Sequence, residues 1–165
     1  MHLLRLFDLI FKPSIAHAHC DVPCGIYDPH EAQVAAHTVI RMTNMINELE
    51  LASEKVEDRK KFVHQVSRLQ KVKEEHAELI KHQVRIIWGD YFKSEHLEKY
   101  KDLHDLVFNI MKQASKARQE VNLDAANQLL ESVQKFAEIF WETKSREIIR
   151  VKSGYPTEGE IVVPK

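Results

Sequence analysis

Apolar residues recur every three or four positions along most of the chain, and polar residues occupy the positions between them. This spacing is typical of amphipathic helices that bury one face and expose the other. The four glycines and five prolines lie mostly near the two ends, so little interrupts the pattern in the middle. The pattern predicts four helices joined by short connections.

The first predicted helix begins at the segment Asp28-Pro29-His30-Glu31. An aspartate can cap a helix, proline suits the first helical position, and a glutamate three residues after the cap completes a capping box. Apolar residues then continue the helical pattern to Leu49, and a break over residues 51–53 predicts a turn.

The second predicted helix ends near Gly89, Ser94 caps the third, and the fourth begins near Asn122. The residues of the second helix that are expected to face the core are Phe62, Val63, Val66, Leu69, Val72, Leu79, Ile80, Val84 and Ile87. Four such helices with short connections indicate an all-α protein, an antiparallel four-helix bundle over residues 30–150. Residues 151–165 are turn-rich and are expected to form a loose or docking tail.

Length and composition narrow the class of protein. A chain of 165 residues can bury a core as one domain without disulfide support. Lysine and arginine (24 residues) balance aspartate and glutamate (25 residues), and the net charge of −1 argues against a nucleic-acid partner. No apolar run approaches the roughly 20 residues of a membrane-spanning helix, so no membrane partner is expected.

Residues 1–18 have the character of a leader. They contain a broken apolar stretch that ends in Ala16-His17-Ala18, which is similar to an A-x-A cleavage site. Asp8 and Lys12 interrupt the apolar run, and this makes it weak as an export signal. We expect a protease to remove residues 1–18 and the protein to be cytoplasmic, with export left open. The alternative is an ordered N-terminal extension.

Both cysteines of the chain, Cys20 and Cys24, follow directly after His19 in the segment HCDVPCGIYDP. A disulfide between them would close only a small loop, and short loops contribute least to stability. Thiolates and imidazole are ligands for zinc, copper, iron and nickel, so the segment predicts a metal site. Other histidines lack the spacing of ligands on one helix face and are expected at the surface: His76, His82, His96 and His104.

Cleavage after Ala18 would give His19 a free α-amino group. Two residues then offer four donors, which are this amine, the imidazole, and the amide nitrogen and sulfur of Cys20, while Cys24 adds a second sulfur. The amine, the amide and the two thiolates can lie in one plane around a metal, with the imidazole above it. Planar or tetragonal geometry favours nickel or copper over zinc. Residues 19–29 are therefore expected to form an N-terminal metal-binding hook.

The segment His19–Pro29 closely resembles the H-C-D-x-P-C-G-x-Y-D-P hook of the nickel superoxide dismutase family, with nine fixed positions in eleven residues. The likeness continues through WGDYFK, EKYKDLH and IFWETK, and it extends from His19 to Lys144. It implies a nickel-dependent oxidoreductase that converts superoxide to oxygen and hydrogen peroxide by Ni(II)/Ni(III) cycling. It also implies a homohexamer of four-helix bundles with one nickel ion per subunit.

The resemblance also implies a role for each hook residue. His19 supplies the amine and the axial imidazole, Cys20 its amide nitrogen and sulfur, and Cys24 the other sulfur. Asp21 shapes and hydrogen-bonds the loop, and Tyr27 gates the approach of superoxide to the metal. The source of the protons for peroxide stays open between water, Tyr27 and a cysteine sulfur.

The chain departs from the family at two aligned positions. Some members support the axial histidine with a glutamate on the first helix and an arginine on the second, and Ala35 and His76 stand there in this chain. We hypothesise that another group, either His76 or water, orients the His19 ring. Lys93 is a candidate for steering superoxide, and the simpler alternative is an ordinary solvated charge.

Two other functions are compatible with the residues alone. A nickel or copper carrier would use the same ligands without catalysis. In a structural helical oligomer, the two cysteines would be incidental. Dismutase activity of the nickel-loaded, leader-cleaved protein separates all three.

Overall fold

The computed structural model describes residues 25–165 of the chain. Within this range the chain forms five α-helices, a π-helical turn and a β-hairpin. The elements are α1 (His30–Asn47), α2 (Val56–Ile86), the π-helical turn (Ile87–Tyr91), α3 (Ser94–Lys99), α4 (Leu103–Gln119), α5 (Leu123–Thr143), β1 (Ile148–Lys152) and β2 (Glu160–Pro164).

The four long helices pack into a bundle around one core. Helix α1 contacts α2 and α5, and α4 contacts the same two helices. The largest fully buried apolar side chains come from α2, α4, α5 and the π-helical turn: Ile80, Ile87, Leu103, Ile110, Leu129, Phe136 and Phe140. The predicted all-α, antiparallel four-helix bundle is confirmed. None of the helices in residues 25–165 combines the length and the apolar character needed to cross a membrane.

The start of α1 is partly set by local sequence. The Asp28 Oδ1 atom accepts a hydrogen bond from the backbone N–H of His30 at 2.8 Å, but Pro29, predicted as the first helical residue, occupies the N-cap position instead of Asp28. Glu31 does not complete the predicted capping box, because its carboxylate accepts a hydrogen bond from the Gln83 side chain on α2. A link between two helices therefore replaces half of the predicted cap.

Helix α2 is longer than the helix it packs against, and this decides which of its apolar residues are buried. It has 31 residues, whereas α1 has 18. Ile80 and Val84 are buried as predicted, but Val63 is 61% exposed. The prediction for Val63 is wrong because helical spacing tells which face a residue lies on, and only the length of the neighbouring helix decides whether that face is covered.

The chain between α2 and α4 is more irregular than predicted. Gly89 lies inside the π-helical turn and does not end the helix. The predicted third helix is divided into α3 and α4. Lys93, and not Ser94, occupies the cap position of α3, and its backbone N–H donates to His96 Nδ1 at 3.1 Å. π-Helical turns are frequent at functional sites, and this one adjoins the hook end of the bundle.

The C-terminal residues form a β-hairpin that docks on the bundle. Strands β1 and β2 pair antiparallel, with Arg150 opposite Val162. Val162 is 1% exposed, so the hairpin is packed against the helices. Of the two forms expected for the tail, docking is the one observed. Strand β1 spans the predicted boundary between residues 150 and 151.

Candidate functional site

The predicted metal ligands precede the described part of the chain. His19, Cys20, Asp21 and Cys24 lie outside residues 25–165, and their roles stay predictions. Tyr27 is the predicted site residue that the structure describes. Within residues 25–165, no group of three or more histidine, cysteine, aspartate or glutamate side chains is arranged to hold a metal ion.

The chain turns at Gly25, five residues before α1 begins. Gly25, directly after Cys24, has a φ of +81°, in the left-handed region that favours glycine. Ile26 is 76% exposed, whereas the next residue, Tyr27, is half-buried and packs on the core. After this turn, Tyr27 packs against the core immediately before α1 begins at His30.

Tyr27 rests on a second tyrosine that the sequence analysis did not single out. The rings of Tyr27 and Tyr91 are 5.9 Å apart. The Thr143 hydroxyl donates to the Phe140 carbonyl at 2.6 Å, so it accepts from the Tyr91 hydroxyl at 2.8 Å. The Phe140 ring lies 4.8 Å from the Tyr91 ring. Two residues of α5, Thr143 and Phe140, therefore fix the position of the Tyr91 ring that Tyr27 contacts. The signal in the sequence was the segment WGDYFK, which contains Tyr91.

A histidine and a lysine complete the surroundings of Tyr91. The His96 ring stacks on the Tyr91 ring with centroids 5.6 Å apart. His96, which is expected at the surface and not as a ligand, is partly buried, with 18% of its side chain exposed. The Lys144 ammonium lies over the rings of Phe140 at 4.8 Å and Tyr91 at 5.3 Å. These contacts place a positive charge on Tyr91, the ring on which Tyr27 packs.

A cleft of about 560 Å³ opens beside Tyr27. Its polar lining comes from the start of α1 and the end of α2, and consists of Asp28, His30, Glu31, His82 and Gln83. The hydrogen bond from Gln83 to Glu31 joins the two helices that form the walls. His82 is exposed, as predicted. Carboxylates and imidazoles in such a cleft can bind water and exchange protons with it.

The two positions that are predicted to lack the glutamate and arginine of some family members lie on facing helices. Ala35 is 1% exposed in the core on α1. His76 on α2 is half-buried, and its Nδ1 lies 2.8 Å from the Val72 carbonyl oxygen. Because a carbonyl only accepts, His76 Nδ1 carries the proton and Nε2 is the ring atom left to act as an acceptor.

Comparison with known proteins places this arrangement in a family. The model of the family "Nickel-containing superoxide dismutase" matches residues 14–144. The chain is similar to "Superoxide dismutase [Ni]" of Streptomyces coelicolor, with 37% identity over 136 residues, which cover 82% of this chain and 95% of that protein. The corresponding protein of Streptomyces seoulensis is 36% identical over 136 residues, with the same coverage.

Solved structures agree in fold and in sequence. The native structure of nickel superoxide dismutase matches with a TM-score of 0.64 and 36% identity, covering 76% of this chain and 99% of that chain. The structure with nickel ligation of the oxidised state matches with a TM-score of 0.65 and 35% identity, covering 77% and 99%. The chain, with its Tyr27–Tyr91 pair at the end of a four-helix bundle, belongs to the nickel-containing superoxide dismutase family.

Proposed function

We propose that the chain is a superoxide dismutase, which converts two superoxide ions and two protons to oxygen and hydrogen peroxide at a nickel ion. The observation that carries this proposal is the segment His19–Pro29, which lies inside the family match and contains all nine fixed positions of the hook. The relatives in two Streptomyces species carry the name "Superoxide dismutase [Ni]". A carrier without catalysis is not favoured by these comparisons.

The donors of the hook fit nickel by their chemistry. His19 offers an imidazole and, after cleavage, an amine, and Cys20 and Cys24 offer two thiolates. Thiolate and deprotonated amide donors are anionic, and anionic donors stabilise the higher oxidation state of a bound metal. When bound, nickel would supply the one-electron oxidation and the one-electron reduction that dismutation requires.

The numbering of solved relatives supports the proposed site and the proposed cleavage. Structures exist of family members with a replaced histidine at residue 1, a replaced aspartate at residue 3 and a replaced tyrosine at residue 9. Counted from His19, Asp21 is the third residue and Tyr27 the ninth. We therefore propose that residues 1–18 are removed, that residues 19–29 form the hook, and that residues 30–150 and 151–165 form the bundle and the tail.

We propose that Tyr27 controls access to the metal. Its half-buried ring lies on Tyr91 and borders the cleft of about 560 Å³. A phenol in this position can hold water or peroxide by a hydrogen bond and can pass on a proton. Asp21 would shape the hook loop by hydrogen bonds. Water and the cysteine sulfurs remain the alternative relays for the protons of peroxide.

Orientation of the His19 ring needs a group other than the glutamate and arginine used by some family members. Ala35 offers no polar atom on its side chain. We propose His76 Nε2 or a water molecule as the substitute, since Nδ1 of His76 already donates to Val72. Replacing His76 by alanine should then change the spectrum of the oxidised metal site, and an unchanged spectrum with unchanged activity would exclude His76.

We propose that the protein assembles as a homohexamer in the cytoplasm after a protease has removed the leader. Val56 and Val63, which are 60% and 61% exposed on the part of α2 that α1 leaves uncovered, support packing between subunits. Lys93 is exposed near the site and remains a candidate for steering superoxide.

The decisive experiment compares three proteins loaded with nickel: a chain that begins at His19, the full chain from Met1, and the chain from His19 with Cys20→Ser. We expect dismutase activity only in the first, because the second lacks the free amine and the third lacks a thiolate. Nickel binding without turnover would indicate a carrier. Activity in the Cys20→Ser variant, or with iron or manganese in place of nickel, would contradict the proposal.

A further inference from the structure

The C-terminal hairpin lies beyond the part of the chain that matches the family, yet it is firmly joined to the bundle. The family match ends at residue 144, and β1 begins at Ile148. The outer edge of β2 faces α1 and α5, and three polar side chains of these helices meet it. They are Gln33, His37 and Gln134, and each is 4% exposed or less.

Gln33 takes the place of a neighbouring strand for β2. Its Nε2 donates to the Val162 carbonyl oxygen at 2.9 Å, and its Oε1 accepts from the Val162 N–H at 2.7 Å. These two backbone groups point away from β1, because opposed pairs alternate in an antiparallel ladder: Ser153 bonds to its opposite residue Gly159, so Arg150 and Val162 form a non-hydrogen-bonded pair. Without the Gln33 amide, both groups would be buried and unpaired, which is costly.

His37 binds the loop that joins the two strands. Its Nε2 lies 3.0 Å from the Glu160 carbonyl oxygen and its Nδ1 lies 2.8 Å from the Thr157 hydroxyl. The carbonyl can only accept, so Nε2 donates and Nδ1 accepts from Thr157. Gly159 passes so close that a Cβ atom there would lie 2.5 Å from His37 Cε1. The backbone at Gly159 therefore packs directly against the His37 ring, with no space for a larger side chain.

Helix α5 also bonds to the hairpin, and one of its bonds goes to the Glu160 carbonyl oxygen that His37 contacts. Gln134 Nε2 donates to the Glu160 carbonyl oxygen at 2.6 Å. Arg150 on β1 donates to the side-chain oxygen of Gln134 at 3.0 Å and to the Glu138 carboxylate at 2.6 Å. The hairpin thus connects α1 to α5 through hydrogen bonds, of which the Gln33–Val162 pair is buried and the Arg150–Glu138 bond is exposed.

The contact on α1 lies in the first turns of the helix that follows the hook. The backbone N–H of Gln33 donates to the Pro29 carbonyl oxygen at 3.3 Å, and Tyr27 is six residues before Gln33. The first N–H groups of a helix lack partners within the helix, so helix starts fray unless other elements hold them. The hairpin bonds to α1 at Gln33, four residues after Pro29, and one turn later at His37, and these bonds oppose fraying.

We propose that the hairpin is a positioning element for the metal site: it fixes the start of α1 against α5, and thereby Tyr27 and the attached hook against Tyr91. This inference rests on the proposed function. Gln33 and His37 are positioning residues in this view, because they act through the backbone of α1 and not on the substrate.

The first test uses hydrogen exchange in the metal-free protein, so it is independent of activity. Deletion of residues 145–165 and the substitution Gln33→Met should each speed amide exchange over residues 33–37 by about tenfold or more, since a buried bond pair is lost. The matched control is Gln70→Met, which removes a glutamine bond to the Arg118 carbonyl of 3.0 Å between α2 and α4. In this control, exchange over residues 33–37 should stay as in the parent.

The second test uses the nickel-loaded protein and two alanine substitutions within the hairpin. Gly159→Ala pushes against His37, whereas Gly154→Ala, with φ +70° and open space around its Cβ, strains the hairpin loop without reaching α1. We expect only Gly159→Ala to alter the electron paramagnetic resonance spectrum of the oxidised metal site and to lower kcat at least severalfold.

The outcomes separate this inference from the proposed function. If the deletion variant fails to fold, the point variants decide. If Gln33→Met and Gly159→Ala fold and match the parent in exchange over residues 33–37 and in spectrum, the hairpin is only a stabilising cover and the inference is wrong. If the parent has no dismutase activity with nickel, the proposed function fails, while the exchange experiment still measures the coupling of hairpin and α1.

Discussion

The two ends of the bundle are held together by different kinds of interaction. At the hook end, Tyr27 lies on Tyr91, Tyr91 lies on Phe140, and the Lys144 ammonium covers the last two rings. At the end where α4 finishes, the fully buried side chain of Lys73 donates to the Glu120 carbonyl oxygen. At the hook end stacked rings accompany the Tyr91–Thr143 hydrogen bond, whereas at the other end a buried charged side chain bonds to the end of a helix.

The difference shows what each end can tolerate. Contacts between rings allow small shifts without leaving any group unpaired, and they accept a nearby charge. A buried ammonium bonded to one carbonyl has no such freedom, since its loss leaves the carbonyl without a partner. The hook end thus tolerates small movements of the residues that precede α1, and the other end fixes the helices to one another.

The largest effect is expected from Phe140→Ala. Removal of this fully buried ring should lower the free energy of unfolding by about 3–5 kcal/mol and leave Tyr91 without its support. Leu129→Ala, near the other end of α5, is the control, and it should cost about 2–5 kcal/mol without moving Tyr91. Urea denaturation measures the stability, and near-ultraviolet circular dichroism reports on the tyrosines. Equal loss of the tyrosine signal in both variants would remove the distinction between the two ends.

A smaller effect, dependent on pH, is expected at Lys73. Burial lowers the pKa of this amine below its ordinary value of 10.5, although Glu74 and Glu120 partly oppose the shift. Between the lowered pKa and 10.5, the unfolded chain binds more protons than the folded one, so the free energy of unfolding rises with pH in this window. The contribution is at most about 1.4 kcal/mol per pH unit.

Lys73→Met should remove this slope. Unfolding of the parent and the variant by urea at several pH values up to about 10 measures the difference, in which the tyrosines and the other lysines cancel. A slope that is the same in both proteins would mean that the Lys73 amine does not titrate differently in the folded state, and the contrast between the ends would then rest on hydrogen bonds alone.

The smallest effect is expected from Lys144→Gln. Loss of the ammonium over the rings of Phe140 and Tyr91 should cost about 0.5–1 kcal/mol. Removal of a positive charge over Tyr91, the ring that Tyr27 contacts, should also weaken the dependence of kcat/KM on ionic strength, because superoxide is an anion. Lys60→Gln, an exposed lysine in the first half of α2, is the matched control. If the two variants respond identically to salt, the position of Lys144 over the rings has no special role in steering.

Helix positions were predictable because their signals are local. Asp28 and Pro29 mark the start of α1, and the Asn122 side chain accepts from the Ala125 N–H at the start of α5. The candidate site was predictable for the same reason, since all of its proposed ligands fall within six consecutive residues from His19 to Cys24. Neither inference needed any knowledge of which residues meet across the fold.

Three features that the sequence analysis missed depend on partners that are distant in the chain. Val63 was expected in the core, and its exposure depends on where α1 stops. Tyr91 gains its role from Tyr27 and from Thr143, which is 52 residues further on. A glutamine such as Gln33 is ordinarily expected on a solvent-exposed helix face. In the structure it is buried and bonds to Val162, which is 129 residues away.

The amino-acid sequence by itself determined the helices, the all-α class and the chemistry of the hook, because capping groups, apolar spacing and metal donors act between residues that are near neighbours in the chain. Only the tertiary structure decided that the tail docks as a hairpin, that polar side chains of α1 and α5 complete its edge, and that Tyr27 rests on Tyr91. Those arrangements depend on which buried groups find partners once the helices have packed, and a polar side chain carries no local mark of the distant backbone it will bind.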